Sequence, residues 1–191
     1  HMTEETPVNP ISKKGKVREK IAKMLLEEVR AGKLEAIIAR AADFIGPTKN
    51  SLLYSAVYEN MKNGKKAMWF CNADKVHTFT YTPDAAKATA LLGNTPDAYN
   101  QVWHLPTSQA KLTANDWVNL FAKAMNKEPK LTVLPKWMVP VLGLFMPIMR
   151  EFKEMLYQYD RNYVFDSNKY EKRFNQTPAT PVEAVRAIVS S

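Results

Sequence analysis

The chain has 191 residues, enough for one full domain with its own core or for a large part of a bigger protein. Its six glycines, Gly15, Gly32, Gly46, Gly64, Gly93 and Gly143, are never closer than fourteen positions, so no two can share a phosphate-cradling loop, and both GxGxxG and the Walker motif are excluded from this chain. No apolar run reaches the ~18–20 residues of a membrane span, and the net charge of +8, from 27 basic against 19 acidic residues, is concentrated in part between Lys13 and Lys23.

His1-Met2 reads as the remnant of a cleaved tag, and residues 2–10, MTEETPVNP, as a proline-punctuated loop. Ser12 is an N-cap candidate for a helix to about Arg30, stopped by Gly32. Within it Val17, Ile21, Met24 and Leu25 recur at helical spacing, which puts the lysines on the opposite, solvated face. That reading is preferred to a nucleic-acid surface, which would call for interleaved aromatics or a zinc-type cluster.

Leu34 to Phe44, followed by Gly46-Pro47, is expected to be a buried parallel strand. Ser51–Met61 should be helical and end at Asn63-Gly64. AMWF (67–70) and HTFTYT (77–82) read as short strands around the turn NADK, and Pro83-Asp84 opens a helix to Leu92. Gln101–Leu105 is a further strand, Thr113 with Asp116 starts a helix ending near Met125, and Leu131–Leu134 gives the last strand. Pro135 to Tyr159 is helical in pattern but broken or bent at Pro140 and Pro147, Asp166-Ser167 caps a helix to Phe174, and Pro181 starts one ending at Ile188. The result is an α/β alternation, helix-rich.

The blocks RAADFIGP (40–47), HTFTYTPDAAKA (77–88), DSNKYEKRF (166–174) and PVEAVRA (181–187), in this order and preceded by TEETP and a Ser-Lys helix, resemble the NAD-dependent epimerase/dehydratase family of extended short-chain dehydrogenases, in an atypical branch. The resemblance runs from Met2 to about Ile188 but covers only the distal part of such enzymes. It implies the C-terminal part of a Rossmann-type fold: residues 1–48 as a remnant of the dinucleotide-binding domain, and 49–191 as a small α/β substrate-binding region with one or two further sheet strands. NAD or NADP is expected in the full-length parent and none on this chain alone. An alternative is a non-catalytic binding or regulatory module on the same fold.

The family's chemistry rests on a Tyr-x-x-x-Lys pair one helical turn apart, the lysine lowering the phenol pKa and holding the nicotinamide ribose. Matching the Ser-Lys step at Ser12-Lys13 puts Asn9 in the tyrosine's place, and the register one residue on puts Pro10 there. The resemblance thus leaves Lys13 as a catalytic and cofactor-binding candidate without its partner, Ala41 and Ala42 along the nicotinamide, and Asp43, with Phe44 beside it, at a position that touches substrate. His77 stands where an arginine would grip a sugar-nucleotide phosphate; an imidazole cannot make that bidentate fork, which disfavours a nucleotide-diphosphate sugar. The bland reading of His77 is a half-buried strand histidine, and His104 is read as structural. Phe145, Met146, Met149, Phe152, Met155, Tyr157 and Tyr159 read as core before they read as an apolar pocket. Cys71 and His77 are two soft ligands and do not make a metal site. With one cysteine and no secretory h-region, a cytoplasmic setting is expected. The expected partners are a small-molecule substrate and a second copy of the chain, in a homo-oligomer, and neither nucleic acid nor membrane.

Overall fold

In the computed structural model, which describes residues 1–145 and 147–191, the first helix, α1 (Lys13–Arg30), starts where its cap predicts: the Ser12 hydroxyl accepts the Gly15 N–H at 3.0 Å. It ends at Ala31, and Gly32 follows in the left-handed region with φ 68°. None of its residues is buried: Val17, Ile21 and Met24 are 57%, 55% and 60% exposed. The amphipathic pattern therefore forms a helix, but among the described residues it leaves Val17, Ile21 and Met24 of its apolar stripe open, with Leu25 partly covered.

The segment expected as one buried strand is two, and neither is a simple buried strand. β1 (Ile37–Arg40), largely half-buried, pairs in parallel with Gln101–His104, while β2 (Asp43–Ile45) pairs in parallel with Phe79–Tyr81. The chain changes partner at Ala41-Ala42. There the Ala42 N–H leaves the ladder and donates to the Thr80 hydroxyl at 2.9 Å, a side-chain bond standing in for a backbone one. Gly46 closes this corner, since a Cβ there would collide with the Thr82 side chain.

A π-helical turn, Leu53–Tyr58, runs into α2 (Glu59–Lys62). β3 (Ala67–Phe70) follows, then β4 (Phe79–Tyr81), which passes directly into α3 (Thr82–Gly93). Though adjacent in sequence, β3 and β4 do not pair; β3 lies parallel to a later strand, Leu131–Leu134. β5 (Gln101–His104) leads to α4 (Ala114–Ala124), opened by a reciprocal Thr113–Asp116 capping box, and then to β6 (Leu131–Leu134). α5 (Met138–Leu142) carries Pro140 within its first turn, where a missing N–H is tolerated, so the interruption comes after Leu142, before α6 (Pro147–Phe152). Met146, one of the aromatic and methionine residues singled out above, lies outside the described residues.

A 3₁₀ segment, Lys153–Gln158, leads towards α7 (Asn168–Phe174) and α8 (Pro181–Val189). The α7 start is capped by Asp166, which accepts the Asn168 N–H at 2.7 Å, and not by the Ser167 hydroxyl, which lies within hydrogen-bond distance of Glu171 and Thr107. Among the described residues the strands form three parallel pairs, and no helix is long and apolar enough to cross a membrane. The larger core, built on Trp69, Leu53, Val57, Trp117, Phe121 and Ile188, fills the space between the β3/β6 pair and helices α4 and α8. A smaller one, on Leu92, Trp103, Leu105 and Tyr170, lies under the β1/β5 pair. Trp69 also sets the next feature, because its indole stands edge-on to the rings of His77, Phe79 and Tyr159.

Candidate functional site

Asp43 opens β2 directly after the partner switch, three residues past the end of β1, and not at the end of its own strand as a simple parallel β-turn would have it. Its Oδ2 receives two hydrogen bonds, one from a His77 ring nitrogen at 2.9 Å and one from the Tyr159 hydroxyl at 3.1 Å. The Asp43 side chain is 29% exposed, whereas His77 is 2% exposed. No described hydrogen bond reaches Asp43 Oδ1. The carboxylate is thus held from behind on one oxygen and presents the other outward.

His77 is not the half-buried strand residue expected. It precedes β4, its backbone N–H donates to Leu112 and its carbonyl accepts the Trp117 indole N–H. Its ring is sandwiched between Tyr159 and Tyr163, with centroids 4.9 and 4.6 Å away and planes tilted by 16° in both cases. Only Nε2 makes a described hydrogen bond, so the network assigns the proton to Nε2, facing Asp43. So engaged, this imidazole cannot also grip a phosphate.

Burial, reinforced by the Asp43 charge, pushes the Tyr159 phenol well above the ordinary tyrosine value. Tyr163 is pushed up for the same two reasons, burial first. A phenol that serves as general base needs the opposite shift. Tyr159 thus donates to Asp43 and stacks on the His77 ring, and Tyr163 supports that ring from its own stacking contact.

The remaining candidates are placed as follows. Ala42 is buried at the partner switch and Ala41 packs partly against the smaller core, so both have packing roles in this chain. Phe44 is 45% exposed, but strand alternation puts it on the face opposite Asp43, and the structure does not bring the two together. Lys13 is exposed; its backbone N–H donates to Glu154 Oε2 at 2.9 Å, and no described hydrogen bond or ion pair links its ammonium to Asp43 or His77. His104 is structural, buried against Phe165 at a centroid distance of 3.8 Å with Nδ1 2.6 Å from the Asp166 carbonyl. Of the aromatic stretch, Phe145 is exposed, Phe152 packs on Phe70 at 4.4 Å, and Tyr159 belongs to the Asp43 site. The sequence reading missed Tyr163 and the role of Tyr159, which lie far from Asp43 along the chain and carry no local motif.

No family model matches the sequence, and no curated protein is significantly similar to it. Solved structures match throughout. A dTDP-glucose 4,6-dehydratase from Bacillus anthracis in complex with NAD superposes with a TM-score of 0.77 at 18% identity, over 99% of this chain and 54% of that one. The fold is that of the C-terminal region of the NAD-dependent epimerases and dehydratases. A UDP-glucuronic acid 4-epimerase from Bacillus cereus in complex with NAD gives 0.75 at 13% identity, over 99% of this chain and 53% of its own. RMD from Pseudomonas aeruginosa, complexed with NADPH, gives 0.73 at 17% identity, over 99% and 58%. This chain spans about half the length of each of these structures.

Proposed function

We propose that this chain is the C-terminal, substrate-binding part of an NAD(P)-dependent epimerase-, dehydratase- or reductase-like protein acting in the cytoplasm. In this reading, residues 1–48 complete a dinucleotide-binding domain and 49–191 form the substrate region. The observation that carries it is the Asp43 carboxylate, fixed on Oδ2 by His77 and Tyr159 and open on Oδ1, at the corner where the chain changes strand partner. A fixed carboxylate accepts a hydroxyl or ammonium donor and repels phosphate. The favoured substrate is accordingly a small molecule with such a donor, and a nucleotide-diphosphate sugar is disfavoured. The glycine motif that would hold a pyrophosphate is supplied from outside these 191 residues.

Titration calorimetry of NAD(H) tests this reading. The isolated chain should show no binding and no turnover, and the parent protein should bind; millimolar or tighter binding by the chain alone refutes the division. One observation favours a second reading, a non-catalytic module: Asn9, or Pro10 in the register one residue on, stands where the family's tyrosine would, and neither side chain exchanges a proton near neutral pH. Parent protein that binds dinucleotide yet transfers no hydride to any donor-bearing substrate would support that second reading.

A further inference from the structure

Away from Asp43, the two outer edges of the β1/β5 pair differ. The Leu105 N–H donates to the Arg40 carbonyl at 2.8 Å. Alternate residues of a strand turn their main-chain groups to opposite edges, so Gln101 and Trp103 also face β1, while Val102 and His104 face away from it. Both of these outward residues are engaged: the Val102 carbonyl accepts Lys169 Nζ at 2.8 Å, and the His104 N–H donates to Glu4 Oε1 at 2.9 Å. Side chains thus close the β5 edge against a further strand.

The β1 edge is left open. The carbonyls of Ala36 and Arg40 turn towards β5, where they accept the Asn100 N–H at 2.7 Å and the Leu105 N–H. By the same alternation Ile38 faces β5, and Ile37 and Ala39 aim their N–H and C=O groups outwards, where no described hydrogen bond reaches them. Ile37 and Ile38 are half-buried and Ala39 is exposed, and from Ala36 to Ala39 there is neither a charge nor a proline to deter pairing. Two short parallel strands are also incomplete as a sheet, since parallel sheets normally have more strands and are covered on both faces.

We propose that this edge pairs with the same edge of a second copy of the chain. A two-fold axis makes such a contact antiparallel. With the axis at Ile38, every outward group finds a partner: Ile37 exchanges both main-chain bonds with Ala39 of the second copy, and Ala39 does so with its Ile37. The register opposes no like charges, because Ala36 meets Arg40 and Glu35 meets Ala41. The second copy expected from the sequence thereby gains a defined surface, one built on main-chain groups alone and independent of both the dinucleotide reading and the α1 stripe.

The test compares amide exchange by NMR at low and high concentrations of the purified chain. A contact this small falls below the ~1,000 Å² of stable interfaces, so the expected Kd is on the order of 100 μM. Between about 10 μM and about 1 mM, exchange at Ile37 and Ala39 should slow about fivefold, and exchange at Ile38 and Arg40, which face β5, should stay as it is. Ala39→Pro deletes only an outward N–H, where an edge strand tolerates proline, and should abolish the slowing at Ile37. Ala39→Lys, which places a charge on the edge, should do the same and serves if the proline variant does not fold. Ile21→Glu, on α1, should leave the slowing in place. In a Cys71→Ser chain, Ile38→Cys should give a disulfide-linked dimer on mild oxidation, since residues facing each other across the axis lie within disulfide reach, and Ala36→Cys should not. Exchange at Ile37 and Ala39 that does not depend on concentration overturns the proposal. So does slowing that survives both Ala39 variants or that Ile21→Glu removes, and so does equal cross-linking from positions 36 and 38.

Discussion

Replacing Asp43 by leucine removes the acceptor of two donors at once. His77 is 2% exposed and Tyr159 is 4% exposed, so water cannot take over either role. A buried donor left unpaired costs ~1–3 kcal/mol, and two of them, softened by the partial exposure of Asp43 itself, should lower stability by about 2–4 kcal/mol. For a chain of this size each kcal/mol moves Tm by ~2–4 °C, which predicts a fall on the order of 10 °C. Asp43→Asn keeps the shape and an oxygen that can accept both bonds, and loses only the charge, so it should cost about 1 kcal/mol. The decisive measurement is a double-mutant cycle with Tyr159→Phe, using urea unfolding at constant m. Deleting one donor beforehand should reduce the cost of Asp43→Leu by about 1–2 kcal/mol. Equal costs for the asparagine and leucine variants, or a coupling under about 0.5 kcal/mol, would refute the account of a doubly held carboxylate.

The protonation of His104 gives a pH signature. Desolvation lowers its pKa below the ordinary 6.5, outweighing the favourable bond to the Asp166 carbonyl, so the folded state prefers the neutral ring. Its contribution is then full above pH 6.5 and is lost as pH falls from that value through the lower folded-state pKa; His104→Gln should flatten that part of the stability profile, and an unchanged slope would contradict it. Gly46→Ala should destabilise by about 1–3 kcal/mol through collision with Thr82, and Thr82→Ala in the same chain should recover much of the loss; a harmless Gly46→Ala would mean that the corner opens readily. The exposed Val17, Ile21 and Met24 stripe on α1 is proposed to be covered by a second copy, so light scattering should show concentration-dependent association that Ile21→Glu weakens, and a clean monomer at high concentration would count against it.

Local chemistry made much of the fold readable. The α1 cap at Ser12, the Thr113–Asp116 box, Pro83 at the head of α3 and the run LTVL of β6 all use signals contained within a few residues. The misreadings share one cause. Ile37–Arg40 and Asp43–Ile45 carry similar apolar patterns, and nothing in eleven consecutive residues shows that their partners lie in two different later strands. The Asp43 site was half legible, because Asp43 and His77 each belong to a recognisable block. Their bond was not, and neither was the pair of tyrosines that sandwiches the imidazole.

The sequence by itself therefore determined where most of the helices begin, the charge of α1, and the absence of a glycine loop from these 191 residues, because caps, periodicity and spacing act over one or two turns of chain. Only the tertiary structure decided that α1 leaves Val17, Ile21 and Met24 open, and that Asp43 is clamped by residues 34 and 116 positions away. Those outcomes depend on which faces meet across the fold. A hydrogen bond or a cavity wall is set by packing between distant segments, and no short window of sequence contains both sides of it.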